Sequence, residues 1–286
     1  MDIPVKEPRC ILAQNPSPLT GPGTNTYLIG QKEVAVIDPG PDDPEHLNAI
    51  LTATEGRVSH IFVTHAHLDH SAGAVALSRA TDAPVLAFGD ARAGRSALMQ
   101  KLAMQGLKGN EGLDHDFSPD ILLADGQIIT TAEWSLQAVH TPGHSAGHLS
   151  FLWNDLLFCG DIIMAWSSTL ISPPDGDLAD YFRSLDKIEA LGPHRLMPAH
   201  GNPIDAPSQR IAELAQHRRD RTAQILAALH GCPDTPEGIV RRIYDIPPTL
   251  LPAASRNVLA HLLALSELGA VQAAGDTLAQ AKFSTL

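Results

Sequence analysis

The sequence predicts an α/β domain over residues 1–206, followed by a small, mainly helical domain over residues 207–286. Three observations predict this division. Short apolar runs alternate with helical patterns through the first domain. Four of those runs deliver a histidine or an aspartate at their ends. From Pro207 onward the strand periodicity stops and long amphipathic patterns replace it.

In chain order, residues 26–29, 34–37, 61–64 and 85–88 read as strands, and residues 44–53 and 71–81 as helices. Asp42-Asp43 stands where the first helix needs a cap. Between 89 and 119 the pattern loosens. Its middle, residues 91–107, places Arg92, Arg95 and Lys101 among apolar residues at helical spacing. A helix inserted over a site and a plain surface helix both fit. Residues 121–123 and 127–130 flank Asp125-Gly126, which reads as a hairpin turn. Strands follow at 136–139, 149–153 and 156–159, the last two joined by Asn154-Asp155, and a helix over 178–191 leads into a strand ending at His200. In the second domain, residues 209–230 form a long helix containing Arg218-Arg219-Asp220-Arg221. Thr235-Pro236 supplies an N-cap and a first-turn proline. Residues 250–268 form another helix, and 269–280 read as a short hairpin. Helices followed by a hairpin make a winged-helix-like plan.

A chain of 286 residues with 44% hydrophobic and 18% charged residues can bury a sizeable core. No apolar run approaches the ~18–20 residues of a membrane span. Residues 1–7 lack the apolar core of a signal peptide. Cys10, Cys159 and Cys232 are few and far apart, which fits a reducing compartment and not a disulfide framework. The expected location is the cytoplasm, with no membrane partner. The formal net charge is −12, which opposes a broad nucleic-acid surface. Residues 207–286 hold 8 Lys/Arg and 7 Asp/Glu, too balanced for a DNA-reading domain, so DNA binding is not expected and a structural or homodimerising role is favoured.

The densest chemistry lies in Thr64-His65-Ala66-His67-Leu68-Asp69-His70, three imidazoles and a carboxylate directly after an apolar strand. Imidazole with carboxylate suits Zn²⁺, Fe or Mn²⁺. Asp69 and His70 lie past the strand end and suit a second ion beside the first. Three more segments repeat the grammar: Thr141-Pro142-Gly143-His144, Gly160-Asp161 and Ala199-His200-Gly201. A lone strand-end histidine is usually a turn residue; four such segments together point to a two-metal centre.

These motifs, in this order over about residues 11–207, resemble the metallo-β-lactamase superfamily. The opening Asn15-Pro16-Ser17-Pro18-Leu19-Thr20-Gly21-Pro22-Gly23-Thr24-Asn25-Thr26-Tyr27-Leu28 resembles its lactamase-β-2-like branch, whose members carry a winged-helix-like domain after the catalytic one. The resemblance implies an αββα sandwich. It also implies two divalent metals, most simply zinc, with iron or manganese open. His65, His67 and His144 would hold one; Asp69, His70 and His200 the other; Asp161 would bridge them. The complete six-ligand set resembles the glyoxalase II, ribonuclease Z and lactonase-like branches more than the antibiotic-hydrolysing ones.

Two cations sharing a water lower its pKa toward ~7 and generate a bridging hydroxide at neutral pH. The expected activity is therefore hydrolysis of an ester-like bond in a thioester, lactone or phosphodiester. Two alternatives stay open: a single-stranded RNA endonuclease of the lactamase-β-2 type, and a mononuclear iron enzyme resembling persulfide dioxygenases. Asp69 is expected to exchange a proton as well as bind metal. His148, four residues past His144, suits either a leaving-group acid or a residue orienting a ligand. Trp166, Ser167, Ser168 and Tyr181 are the expected substrate contacts.

Overall fold

A computed structural model describes residues 7–109, 112–275, 277–278 and 280–286. One sheet runs β1 (Arg9–Leu12), β2 (Asn25–Ile29), β3 (Val34–Ile37), β4 (Val58–Phe62), β5 (Val85–Ala87), β6 (Ile121–Leu122) in that spatial order. It is antiparallel from β1 to β3 and parallel from β3 to β6. The second sheet contains β7 (Ile128–Thr130), β8 (Ser135–His140), β9 (Leu149–Trp153), β10 (Leu156–Gly160) and β11 (Arg195–Pro198), ordered 11-10-9-8-7. The helices are α1 (Pro44–Thr54), α2 (Leu68–Ser71), α3 (Ala74–Thr81), α4 (Ala97–Met104), α5 (Leu178–Leu191), α6 (Pro207–Leu229), α7 (Pro236–Ile243) and α8 (Leu251–Glu267). The chain closes with an antiparallel pair, β12 (Val271–Ala274) and β13 (Lys282–Thr285).

Strand periodicity makes the layers. Side chains alternate across a strand, and Tyr27, Ile37, Phe62 and Leu86 of the first sheet meet Leu136, Phe151, Phe158 and Met197 of the second in one apolar cluster. Their neighbours point outward. Leu28, Val36, Ile61 and Val85 pack with Ile50 of α1 and Leu77 of α3, while Leu157, Cys159 and Leu196 pack with Leu185 and Ile188 of α5. The architecture is the αββα sandwich with a C-terminal winged-helix domain. Asp43 caps α1 by accepting from the Glu45 N–H at 3.0 Å, and Thr235 caps α7 by accepting from the Gly238 N–H at 3.1 Å.

Three local expectations need correction. Residues 121–123 and 127–130 do not form a hairpin: β6 pairs with β5 in the first sheet and β7 with β8 in the second. Asp125-Gly126 carries the chain between sheets, and the Asp125 carboxylate receives the His140 N–H and the Lys187 ammonium there. The helix expected over 71–81 is broken at Ala72-Gly73, where a Cβ on Gly73 would lie 2.8 Å from the Pro39 carbonyl. In the 91–107 stretch only Ala97–Met104 is helical, and it is neither a cover for the site nor a free surface helix. Met99 and Leu102 of α4 insert into the C-terminal core with Ile225, Val258 and Leu259.

Helix α6 joins the two cores. Ile211, Leu214 and Ala215 pack beneath the second sheet, and Ile225 and Leu229 belong to the C-terminal cluster. Within 269–280, only the first strand of the expected hairpin lies in place; its partner begins at Lys282, and Asp276 and Ala279 lie outside the described residues. Residues 1–6, read for a signal peptide, also lie outside them. No helix among the described residues is long and apolar enough to cross a membrane.

Candidate metal centre

Strands β8, β10 and β11 run in one direction, since β8 and β10 both oppose β9 and β11 parallels β10. His144, Asp161 and His200 therefore emerge at one end of the second sheet. Strand β4 delivers His65 and His67 just past its end, and the single turn of α2 carries Asp69 and His70. Gly160, at φ +48°, lies so close to His148 that a Cβ there would fall 2.5 Å from the ring Nε2. Only glycine fits that approach.

The seven side chains converge. His67 Nδ1 lies 2.9 Å from His65 Nε2 and 3.1 Å from His144 Nε2. Asp69 Oδ2 lies 3.4 Å from His70 Nε2 and 3.3 Å from His200 Nε2. Asp161 stands between the two groups: its Oδ1 is 3.3 Å from His200 Nε2 and 3.6 Å from His70 Nε2, and its Oδ2 is 3.7 Å from His144 Nε2. His65, His67, His70, His144 and His200 are all buried.

The outer nitrogens of these rings are committed elsewhere. His144 Nδ1–H donates to the Leu170 carbonyl at 2.7 Å, and His200 Nδ1–H to the Gly23 carbonyl at 3.0 Å. His70 Nδ1 meets Asp38 Oδ2 at 2.9 Å. Each neutral ring then turns a lone pair inward, the tautomer that metal-binding histidines adopt. Among the described residues, His70 Nε2 and Asp161 Oδ1 are buried with no hydrogen-bond partner. Orphaned acceptors packed this closely need a cation among them, and the donor set fits a divalent metal in each triad.

Without metal the cluster takes up protons. Burial opposes charge on His200, yet Asp161 and Asp69 raise its pKa to about 10. His70 is likewise raised well above the usual histidine value despite burial, by Asp69, Asp161 and Asp38. His67 goes the other way: burial, then His144, hold it at about 3. A cation must therefore displace protons from His70 and His200. Titrating the metal-free protein with Zn²⁺ at pH 7 in dilute buffer should release protons from both rings, and the release should shrink as the pH rises toward the His200 value of about 10. Proton release indifferent to pH across that range would contradict this assignment.

Asp38 escaped the sequence reading. Its carboxylate accepts the Thr64 N–H and hydroxyl, each at 2.8 Å, and holds His70. The signal was present: Val34-Ala35-Val36-Ile37-Asp38-Pro39-Gly40 repeats the pattern of apolar strand, acidic residue and breaker.

His148 is fully buried, and its Nε2 accepts the Asp161 N–H at 3.2 Å. Its Nδ1–H consequently points to the Thr141 hydroxyl at 3.0 Å. Both ring nitrogens are thus engaged within the fold, the inner one by the Asp161 backbone. Trp166 is 46% exposed, its ring centroid 6.5 Å from that of His200, and it lies against Gly21 and Gly201. Ser167 and Ser168 line a cavity of about 330 Å³ with Arg210 and His217 of α6. Tyr181 is not brought to the mouth. It is fully buried among Leu178, Leu185 and Ile211, because the face of α5 that carries it packs under the second sheet.

An αββα sandwich with two adjoining clusters of histidine and aspartate at its strand ends defines a class of metal-dependent hydrolases. This chain belongs to the metallo-beta-lactamase superfamily, whose model matches residues 19–200, and it is an enzyme of that group. The beta-lactamase associated winged helix domain matches residues 235–280. The chain is 32% identical over 280 residues to a beta-lactamase-like protein 2 homolog of Drosophila melanogaster, covering 91% of this chain and 87% of the relative. It is 31% identical to an atrochrysone carboxyl ACP thioesterase of Aspergillus fumigatus, covering 80% and 68%. A metallo-beta-lactamase family protein of Thermus thermophilus shares the fold across 98% of both chains, with a TM-score of 0.79 at 24% identity.

Proposed function

We propose that the protein is a dinuclear metal-dependent hydrolase of an ester-like bond, with an acyl thioester as the substrate class the site best accommodates. One observation carries this reading: Asp161 presents one oxygen to His144 and the other to His70 and His200, so a single carboxylate spans both triads. The bound cations would supply Lewis acidity and an acidified water between them. Asp69, whose side chain is 28% exposed against 11% for Asp161, is the carboxylate more open to the mouth; with metal bound it would help hold the second cation and would be the group placed to exchange a proton with water there. Leu19, Leu68 and Trp166 are exposed apolar side chains on the segments that carry or adjoin the ligands; they offer an apolar rim to an acyl group. The thioesterase named among the relatives supports the same choice. A chain of net charge −12 with 5% aromatic residues offers little to an RNA backbone. The complete second triad weighs against a mononuclear iron enzyme. On this reading the protein divides near residue 206 into a catalytic and a C-terminal domain.

The test is elemental analysis of protein purified without added metal, for the wild type and His200→Ala, alongside assays on acyl thioesters, lactones and single-stranded RNA. Two metals per chain falling toward one in the variant, with thioester cleavage, is the expected result. One iron per chain, unchanged in His200→Ala, would sink it.

A further inference from the structure

Arg218 is fully buried in α6, and no carboxylate among the described residues forms an ion pair with it. Its guanidinium donates to the Thr169 carbonyl and, at 2.8 Å, to Asn257 Oδ1 of α8, and it stands 5.3 Å from the centroid of the Tyr181 ring. A buried cation without an anionic partner is costly to the fold, so its contacts indicate what it is there to hold. Thr169 is one of them, and it touches the metal centre: its hydroxyl lies 3.1 Å from His144 Nδ1, and the next residue supplies the carbonyl that receives the His144 Nδ1–H. Two turns earlier on the same face of α6, Arg210 donates to the carbonyls of Met164 at 3.0 Å and Ser167 at 2.8 Å. Residues 210, 214 and 218 are spaced i, i+4, i+8 and so share one side of the helix. Two arginines of α6 thereby grip, through backbone carbonyls alone, the segment that runs from Asp161 past Trp166 to Leu170.

We propose that Arg218 is a positioning residue for His144, through which helix α6 and the C-terminal domain set metal affinity at the His65–His67–His144 triad. The inference rests on the dinuclear reading above. The guanidinium fixes the Thr169 carbonyl, and the Leu170 carbonyl one peptide further on fixes both the tautomer and the angle of the His144 ring. Outer partners of metal-binding histidines typically change affinity by roughly 10–100-fold. The effect should be confined to the triad that contains His144, because the outer nitrogen of His200 is held instead by Gly23 and that of His70 by Asp38.

The experiment is a Co²⁺ titration followed by visible absorption, using full-length protein in two backgrounds. His200→Ala cripples the second triad and reports mainly the first; His144→Ala does the reverse. Adding Arg218→Met should weaken cobalt binding by about tenfold or more in the His200→Ala background. It should leave binding in the His144→Ala background within about twofold. Arg218→Lys, which keeps the charge and one donor to Thr169, should recover part of the loss. Should Arg218→Met fail to fold, Arg218→Gln carries the test, since it draws the side chain back from the Thr169 carbonyl and leaves a neutral amide in place of the charge. Equal weakening in both backgrounds, or none in either, would overturn the proposal. A wild type that binds no cobalt would instead remove the dinuclear reading on which it stands.

Discussion

Asp161→Asn should lower kcat/KM by on the order of 10²–10³-fold, the scale of losing one preorganised electrostatic element, and should reduce bound metal from two per chain toward one. The side chain is nearly the same size, so packing is preserved and chemistry alone changes. Asparagine offers one neutral oxygen where the aspartate offers two anionic ones, and its NH₂ would face either His144 or the His70–His200 pair. Each face would have to offer a lone pair to a cation, because the rings spend their N–H groups outward on Leu170 and Gly23 and present only lone pairs inward, which an NH₂ cannot replace. Steady-state kinetics and metal analysis of the same preparation check this. A variant retaining two metals and most of its activity would show that Asp161 does not bridge.

Asp38→Ala should destabilise the protein by about 3–5 kcal/mol, the cost of breaking a buried charged pair, a drop of roughly 10 °C in Tm for a chain of this length. Three groups lose their acceptor together: the Thr64 N–H, the Thr64 hydroxyl and His70 Nδ1. The backbone adds to the loss, since Asp38 sits at φ +52°, where aspartate and asparagine are tolerated better than alanine. Asp38→Asn separates the effects. It tolerates the same backbone and can still accept from Thr64, so its stability should fall less, while its hold on His70 is weakened. Thermal unfolding of the metal-free variants measures the difference, and equal melting temperatures for Asp38→Ala and wild type would remove Asp38 from the site's support.

The layered fold was readable because each β-strand carries a period-two pattern that places one set of apolar residues between the sheets and the other beneath the helices. Val34–Ile37 shows this at its simplest, with Ala35 and Ile37 inward and Val34 and Val36 outward. Sheet membership was not readable for β6 and β7. Each spans three residues or fewer, too short to show a period, and their partners were chosen by β5 and β8. Tyr181 was misplaced for a related reason. Helical spacing shows that α5 has an apolar face, but not that this face meets the underside of a sheet instead of a substrate.

The sequence by itself determined the candidate ligands, because they come in short motifs: His65, His67, Asp69 and His70 fall within six residues, and His144, Asp161 and His200 each follow an apolar strand. It also determined the two-part organisation, through the change from strand to helix periodicity at Pro207. Only the tertiary structure decided how closely those side chains approach one another and Asp161. It alone also brought Asp38 to His70 across 32 positions and Arg218 to Thr169 across 49. Local pattern records which face of an element is apolar; it carries no record of which distant polar atom that element will meet. Such pairings arise when a buried donor must find an acceptor wherever the packed layers happen to place one.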